Sequence, residues 1–226
     1  MTDRGWIFNW GCGDCAPCRT VAPMFDASFR PLIDPPLNGV AALIEKSGIS
    51  ANAVTVAGFV LGLGGAVAVA FGQFYIAAVL IVLNRVLDGL DGALARRLGP
   101  TDFGGYLDIV LDFIFYSAVP FAFSVYDPAN GLAAAFVIFS FIGTGASFLA
   151  YAIIAAKRGI STDIRGKKSF YHLGGLTEGA ETILFLMLCC LLPAHFSILA
   201  FCFGALCWVT TAVRVLAAAD SFKENA

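Results

Sequence analysis

Residues 54–71 read VTVAGFVLGLGGAVAVAF, a run that contains no charged side chain. A helix needs about 20 mostly apolar residues to cross the hydrocarbon core of a bilayer. A strand of a transmembrane β-barrel would instead alternate apolar and polar residues. This run therefore predicts a membrane-spanning helix, and it makes the bilayer the expected solvent for the rest of the chain.

The composition of the whole chain agrees with that interpretation. Of its 226 residues, 59% are hydrophobic and 13% are charged, and the mean hydropathy is +0.82. Soluble domains contain about 45–50% apolar and about 25% charged residues, so these charges are too few to cover a water-facing surface. The net charge of −2 also excludes the strong basic field of a nucleic-acid-binding protein.

Five more runs of suitable length follow the first one, and short links separate most of them. We therefore predict an all-α fold, a polytopic membrane protein with six transmembrane helices. The six runs cover residues 54–71, 74–97, 104–126, 131–156, 173–192 and 195–219.

The basic residues predict the orientation of these helices, because Lys and Arg are enriched on the cytoplasmic side. The links at residues 72–73, 127–130 and 193–194 contain neither Lys nor Arg. We therefore expect a multi-pass protein of the cytoplasmic (inner) membrane with both termini in the cytoplasm. The basic residues of the other side are Arg30, Lys46, Arg96, Arg97, Lys157, Arg158, Arg165, Lys167, Lys168 and Lys223.

The segment before the first span, residues 24–51, contains an apolar face at helical spacing. Leu37, Val40, Ala41 and Ile44 fall on this face. We interpret the segment as an amphipathic juxtamembrane helix on the membrane surface, and an ordinary linker is the alternative.

Residues 1–23 differ in composition from the rest. Cys12, Cys15 and Cys18 have a spacing that could hold a metal, but the fourth ligand at the ferredoxin spacing is missing. We expect a disordered extension here. The six-helix domain then covers residues 52–219, and residues 220–226 form a cytoplasmic tail.

Four aspartates lie at one depth near the cytoplasmic side. Asp88 and Asp91 are three residues apart in the second span, and Asp108 and Asp112 are four apart in the third. Each spacing places both acids on one face of a helix. Because the link between these spans is short, we expect antiparallel neighbours whose four carboxylates converge.

Four carboxylates at one place repel each other unless cations neutralise them. Oxygen ligands favour hard ions such as Mg²⁺ or Mn²⁺, and two divalent ions can share four carboxylates. The alternative is a buried ion network with Arg85 and Arg96, but two arginines cannot balance four acids.

These acids belong to a longer pattern, D-x2-D-G-x2-A-R-x7-G-x3-D-x3-D, which runs from Asp88 to Asp112. The pattern resembles the signature of the class I CDP-alcohol phosphotransferases, also called CDP-alcohol phosphatidyltransferases. All eight of its specified positions match. The family's six-span architecture, with a site that opens to the cytoplasm, agrees with the predicted topology, and its members are often homodimers.

The resemblance implies a role for each motif residue. Asp88, Asp91 and Asp108 would bind metal, and Asp112 would complete the metal site and act as the general base. The CDP moiety would contact Gly92, Ala95, Arg96 and Gly104.

The family often carries Pro-Asn-x-x-Thr at the start of its first span. Here the stretch is Ala51-Asn52-x-x-Thr55, so a nucleotide-binding role extends to Asn52 and Thr55 with the proline replaced. The alternative for Asn52 is a helix N-cap.

The implied reaction is metal-dependent transfer of a phosphatidyl group from a CDP-alcohol, with CDP-diacylglycerol as the expected donor, to the hydroxyl of a polar acceptor with release of CMP. Glycerol 3-phosphate is the expected acceptor, and inositol phosphate is also compatible. A phosphorylated acceptor requires cations, and Lys168 and Arg214 are the candidates, with Glu178 for acceptor hydroxyls. Alternatively, the basic residues are topology determinants, and Glu178 is an ion-pair partner of Arg214.

Two other functions can use acidic residues in a membrane. A divalent-cation transporter would carry its site near the midplane, often within internal repeats, whereas these acids lie near one side. A prenyltransferase-like enzyme would have more spans and a second Asp-rich motif.

Overall fold

The structure is a computed structural model that describes residues 25–158 and 177–223, with side chains from residue 35 onward. Every regular element in these ranges is helical, which confirms the all-α fold. Single 3₁₀ turns, Pro128–Asn130 and Pro193–His195, precede the fifth and seventh helices. The helices are α1 (Phe25–Lys46), α2 (Ala51–Ala70), α3 (Phe74–Leu98), α4 (Asp102–Tyr126), α5 (Gly131–Lys157), α6 (Gly179–Leu191) and α7 (Phe196–Ser221).

Four of these helices, α2, α4, α5 and α7, are long and apolar enough to cross a membrane. Helix α3 has a similar length of 25 residues, but its second half carries five charged side chains. Helix α6 is apolar and only 13 residues long, and the start of the predicted fifth span lies outside the described residues. The chain is therefore an integral membrane protein, and six spans remain a prediction.

The start of α2 rules out the alternative role of Asn52 as a helix N-cap. Ser50, not Asn52, is the N-cap of α2, and its side chain accepts a hydrogen bond from the Ala53 amide at 3.2 Å. Ser is as good an N-cap as Asn, and the helix begins at Ala51, three residues before the hydrophobic run. Asn52 consequently lies inside the first turn, where its side chain can face another helix.

Helix α2 packs along both α3 and α4 and is the centre of the site-bearing half of the molecule. Glycines make this approach possible, because a Cβ at Gly58 would lie 3.2 Å from the Cβ of Leu87 on α3. A Cβ at Gly62 would lie only 2.7 Å from Cδ2 of Phe115 on α4. Small residues at such spacing let membrane helices approach closely.

Helices α3 and α4, which the short link predicts to be neighbours, meet through their side chains, as at Arg85 and Asp112. The backbones of these two helices make little contact with each other, and each packs on α2 instead. Their acidic faces therefore meet across a gap that side chains bridge. The short link between α3 and α4 predicted that these helices are neighbours. The distance between them depends on the glycine face of α2, on which both pack.

The main apolar core joins residues of all the helices from α2 to α7. Phe115 and Phe123 of α4 and Ile81 of α3 are fully buried there. The ring of Phe123 stacks on Phe196 of α7 with centroids 4.2 Å apart. Aromatic pairs of this kind add to area burial, and they anchor α4 while its acidic end stays open.

Helix α1 packs on the outside of α3. Leu37, Ala41 and Ile44 join a small core with α3, whereas Val40 is 46% exposed. Glu45 of α1 forms an ion pair with Arg97 of α3 at 2.7 Å. Arg97, which by sequence counts only among the basic residues that set the orientation, therefore also joins α1 to α3. The segment is helical as expected; its position on a membrane surface stays a prediction, and residues 1–23 lie outside the described part of the chain.

Gly62→Ala should destabilise the protein, because the new methyl group would meet Phe115 and Asn84, at 2.7 and 3.1 Å, in a packed interface. Overpacking of this kind costs about 1–3 kcal/mol. The matched control is Gly64→Ala on the same helix, whose Cβ would lie 3.6 Å from Leu80. After heating in detergent, size-exclusion chromatography should recover less Gly62→Ala protein and an unchanged amount of Gly64→Ala protein. Equal recovery of both variants would contradict this packing argument.

Candidate metal and nucleotide site

Three of the four aspartates converge as expected. Carboxylate oxygens of Asp88, Asp108 and Asp112 all lie within 4.8 Å of one another. They line an open pocket between α2, α3 and α4 together with Asp91. A separation of this size suits oxygens that share a divalent cation, since such ions take several oxygen ligands at about 2.0–2.6 Å.

Asp91 supplies an independent indication of a cation. The residue is 7% exposed, and its Oδ2 has no hydrogen-bond partner among the described residues. A buried carboxylate oxygen without a partner is costly. The all-carboxylate donor set and this orphaned oxygen together fit a hard divalent ion, so Asp88, Asp91, Asp108 and Asp112 are the residues that would hold it.

Arg85 also enters the acidic cluster. Its Nη2 lies 2.6 Å from Oδ1 of Asp112, and its Nη1 lies 3.5 Å from Oδ2 of Asp88. Arg85 therefore takes part in an ion network with the acids, as the alternative interpretation required. One arginine neutralises one negative charge, so the charge of three carboxylates remains. Arg96 is exposed at the end of α3.

Sequence reasoning missed Tyr116. Its hydroxyl donates to Oδ2 of Asp112 at 2.8 Å, and Nη1 of Arg85 donates to the same hydroxyl at 3.1 Å. The available signal was its position four residues after Asp112, which places both side chains on one face of α4. Both oxygens of Asp112 thus have protein donors.

The residues predicted to contact CDP differ in their surroundings: some border open space, and others pack against a neighbouring helix. A Cβ at Gly92 would meet nothing closer than Nη1 of Arg96 at 3.6 Å, so that side of α3 is open to a ligand. A Cβ at Gly104 would lie 2.9 Å from Oδ1 of Asn52, so the start of α4 and the start of α2 meet there. Thr55 lines the same pocket as the acids, and Ala95 is partly buried.

The predicted acceptor residues form a second cluster. Arg214 of α7 is 7% exposed; its Nη1 donates to the Thr144 carbonyl at 3.0 Å, and its Nη2 lies 3.9 Å from Oε1 of Glu178. Glu178 also forms a capping box with Glu181 at the start of α6. The ion-pair alternative is therefore present, and Lys168 lies outside the described residues.

The two clusters are adjacent. A Cβ at Gly179, the residue after Glu178, would lie 3.6 Å from the hydroxyl of Tyr116. Tyr116 in turn contacts Asp112. The start of α6 therefore borders the carboxylate pocket, and Arg214 contacts Glu178 at that start.

Comparison with known proteins agrees with this geometry. The family model for CDP-alcohol phosphatidyltransferase matches residues 49–219. The inner membrane protein YnjF of Escherichia coli is 51% identical over 193 residues, which cover 85% of this chain and 94% of that protein. The archaetidylinositol phosphate synthase of Pyrococcus horikoshii is 34% identical over 92 residues, 38% of this chain and 46% of the synthase.

Solved structures share the fold. The phosphatidylinositol phosphate synthase of Mycobacterium tuberculosis with CDP-DAG bound superposes with a TM-score of 0.60 at 20% identity, over 80% of this chain and 92% of that one. The same synthase with manganese and citrate gives a TM-score of 0.59 at 21% identity, over 80% and 88% of the two chains. The family match covers the whole helical region from α2 to α7 and includes the converging aspartates. The chain therefore belongs to the CDP-alcohol phosphatidyltransferase family of membrane enzymes.

Proposed function

We propose that the protein transfers a phosphatidyl group from CDP-diacylglycerol to the hydroxyl of a polar acceptor and releases CMP. The observation that carries this proposal is the convergence of Asp88, Asp108 and Asp112 within a chain of this family. The mycobacterial synthase of the same fold was solved with CDP-DAG, which supports this donor. Family membership favours transfer over the transporter and prenyltransferase alternatives.

The four aspartates would hold two divalent ions, Mg²⁺ or Mn²⁺. The structure of the mycobacterial synthase with manganese supports this assignment. When bound, such ions polarise phosphoryl oxygens and stabilise the negative charge of the leaving nucleotide. Arg96, in the last turn of α3, would add a charge-assisted hydrogen bond to phosphate oxygens.

The chain's own residues position the reactants. Gly92 leaves its side of α3 open to the nucleotide, and Thr55 belongs to the α2 wall of the pocket. Gly104 and Asn52, which lie against each other, would complete the nucleotide-binding residues. Asp112 takes the proton from the acceptor hydroxyl, whose oxygen forms a bond to the lipid-side phosphorus. The bond from that phosphorus to the oxygen of CMP breaks. Holding both reactants in line supplies much of the rate enhancement.

The acceptor that we propose is a phosphorylated polyol. Glycerol 3-phosphate is the first candidate, and inositol phosphate is supported by the printed names of the archaeal and mycobacterial synthases. Arg214 offers a buried cation and Glu178 a carboxylate beside the Asp112 pocket. These groups suit an acceptor that carries both a phosphate and hydroxyls.

Purified protein should release CMP from CDP-diacylglycerol when Mg²⁺ or Mn²⁺ and a suitable acceptor are present. Chelation should abolish the release, because the carboxylates cannot bind the diphosphate without a cation. The acceptor screen should contain glycerol 3-phosphate, inositol phosphate and the corresponding unphosphorylated alcohols, with the products identified by mass. Absence of CMP release with all of them, together with no binding of CDP-diacylglycerol, would contradict the proposal.

Asp112→Asn is the diagnostic variant of this assay. It preserves the size of the side chain and removes its ability to take a proton, so turnover should fall by at least about 100-fold. Binding of CDP-diacylglycerol should survive in large part, because Asp88, Asp91 and Asp108 remain. A fully active Asp112→Asn protein would remove Asp112 as the base.

Arg214→Lys and Arg214→Gln should raise the KM for the acceptor, by about tenfold for the Gln variant, since a charge-assisted contact to phosphate is lost. The KM for CDP-diacylglycerol should change little. Arg97→Gln, which removes an arginine paired with Glu45 on the outside of α3, is the control. If the Arg214 variants lose stability while the acceptor KM is unchanged, Arg214 has only the structural role of its ion pair.

We also propose that both termini are cytoplasmic and that the protein forms a homodimer. A green fluorescent protein fused to the C-terminus should then fluoresce, since it folds in the cytoplasm. Alkaline phosphatase inserted in the turn at Pro128–Asn130 should be active, because that turn lies on the side without basic residues. If alkaline phosphatase fused to the C-terminus were active, the orientation would be the opposite of the one proposed.

A further inference from the structure

Arg85 is a cation built into the carboxylate cluster. Its side chain is 19% exposed, and its guanidinium contacts both oxygens of Asp112, at 2.6 Å through Nη2 and at 3.4 Å through Nη1. Its distance to Asp88 is 3.5 Å. A guanidinium in this position competes with a divalent ion for the same oxygens, because both bind the lone pairs of a carboxylate.

The surroundings of Arg85 hold it in this place. Its Nε donates to Oδ1 of Asn84 at 2.8 Å, and the Asn84 amide donates to the Gly58 carbonyl on α2 at 2.9 Å. The guanidinium also lies over the rings of Phe115 and Tyr116, 5.3 and 5.5 Å from their centroids. Asn84 is buried at 3% exposure, so this brace belongs to the interior of the protein.

Tyr116 completes the contacts of Asp112. Its hydroxyl donates a hydrogen bond to Oδ2 of the carboxylate, and Nη2 of Arg85 donates one to Oδ1. The remaining acids differ, since Asp91 leaves an oxygen without a partner among the described residues. The four aspartates are therefore not equivalent: among the contacts of the described residues, Asp112 is the one with protein donors on both oxygens.

We propose that Arg85 is a positioning residue that restrains Asp112 and limits its share in metal binding, so that this carboxylate stays oriented to take the acceptor's proton. Arg85 lowers the affinity of the cluster for divalent ions and raises turnover. The effect on turnover rests on the proposed function, whereas the effect on cation affinity concerns metal binding in the absence of substrates.

Loss of Arg85 should raise the affinity for divalent ions and lower turnover. These opposite changes distinguish a positioning role from a purely structural one. Removing a positive charge a few ångströms from the acids strengthens cation binding, because the repulsion between Arg85 and the ion is lost. It also frees Asp112 to rotate, and misoriented groups lose rate. A variant that merely damages packing would weaken both properties.

The metal test measures Mn²⁺ binding to the purified full-length protein in detergent, by electron paramagnetic resonance without nucleotide or acceptor. Arg85→Gln should bind Mn²⁺ about tenfold more tightly than the unmodified protein, from the loss of one nearby charge. Tyr116→Phe, which removes a neutral donor, should shift the affinity by less. Arg97→Gln on the same helix is the matched control and should bind Mn²⁺ unchanged.

The turnover test uses CMP release at saturating Mn²⁺ and CDP-diacylglycerol. Arg85→Gln should lower kcat by about 100-fold with little change in the KM for the donor, and Arg85→Lys should recover part of kcat. If Arg85→Gln does not fold, Arg85→Lys carries the metal test. One ammonium replaces a two-point contact, so its Mn²⁺ binding should be about threefold tighter.

Unchanged or weaker Mn²⁺ binding by a folded Arg85 variant would overturn the proposal, as would tighter binding with undiminished kcat. A failure of the proposed function is recognised separately. In that case CMP release is absent from the unmodified protein as well, whereas the order of Mn²⁺ affinities still reports on Arg85.

Discussion

Four carboxylates that line one pocket of a membrane protein impose the constraint from which the rest of this structure follows. Like charges at a poorly solvated place repel and must be neutralised. The chain meets this partly by itself, through Arg85 at 2.6 Å from Asp112. The unpartnered oxygen of Asp91 and the three converging carboxylates leave the remainder to divalent cations.

Helix α2 makes this arrangement possible. Its glycine face lets α3 and α4 pack on it closely, and the two acidic faces then meet across an open pocket instead of closing on each other. Asn84 connects the scaffold to the chemistry, because it hydrogen bonds to Gly58 of α2 and to Arg85. A site that must admit a diphosphate needs such a gap, and helices in direct contact would fill it.

Much of this could be predicted from the sequence. The helical class, the family and the convergence of Asp88, Asp108 and Asp112 follow from hydropathy and from spacings within single helices. The cap of α2 could not be assigned correctly, because Ser50 and Asn52 are equally good N-caps and only the backbone shows where the helix begins. The pairing of Arg97 with Glu45 joins distant residues and carries no local signal.

The sequence by itself determined that this chain lies in a membrane, which residues share a helix face and which family it belongs to, since each depends on composition or on short spacings. Only the tertiary structure decided that α2 packs on both motif helices, that Tyr116 and Arg85 share Asp112, and that the start of α6 borders the pocket. The physical reason is that helical periodicity determines direction around an axis. Distances between helices depend instead on how the surfaces of different helices fit together, as where the ring of Phe115 packs against Gly62.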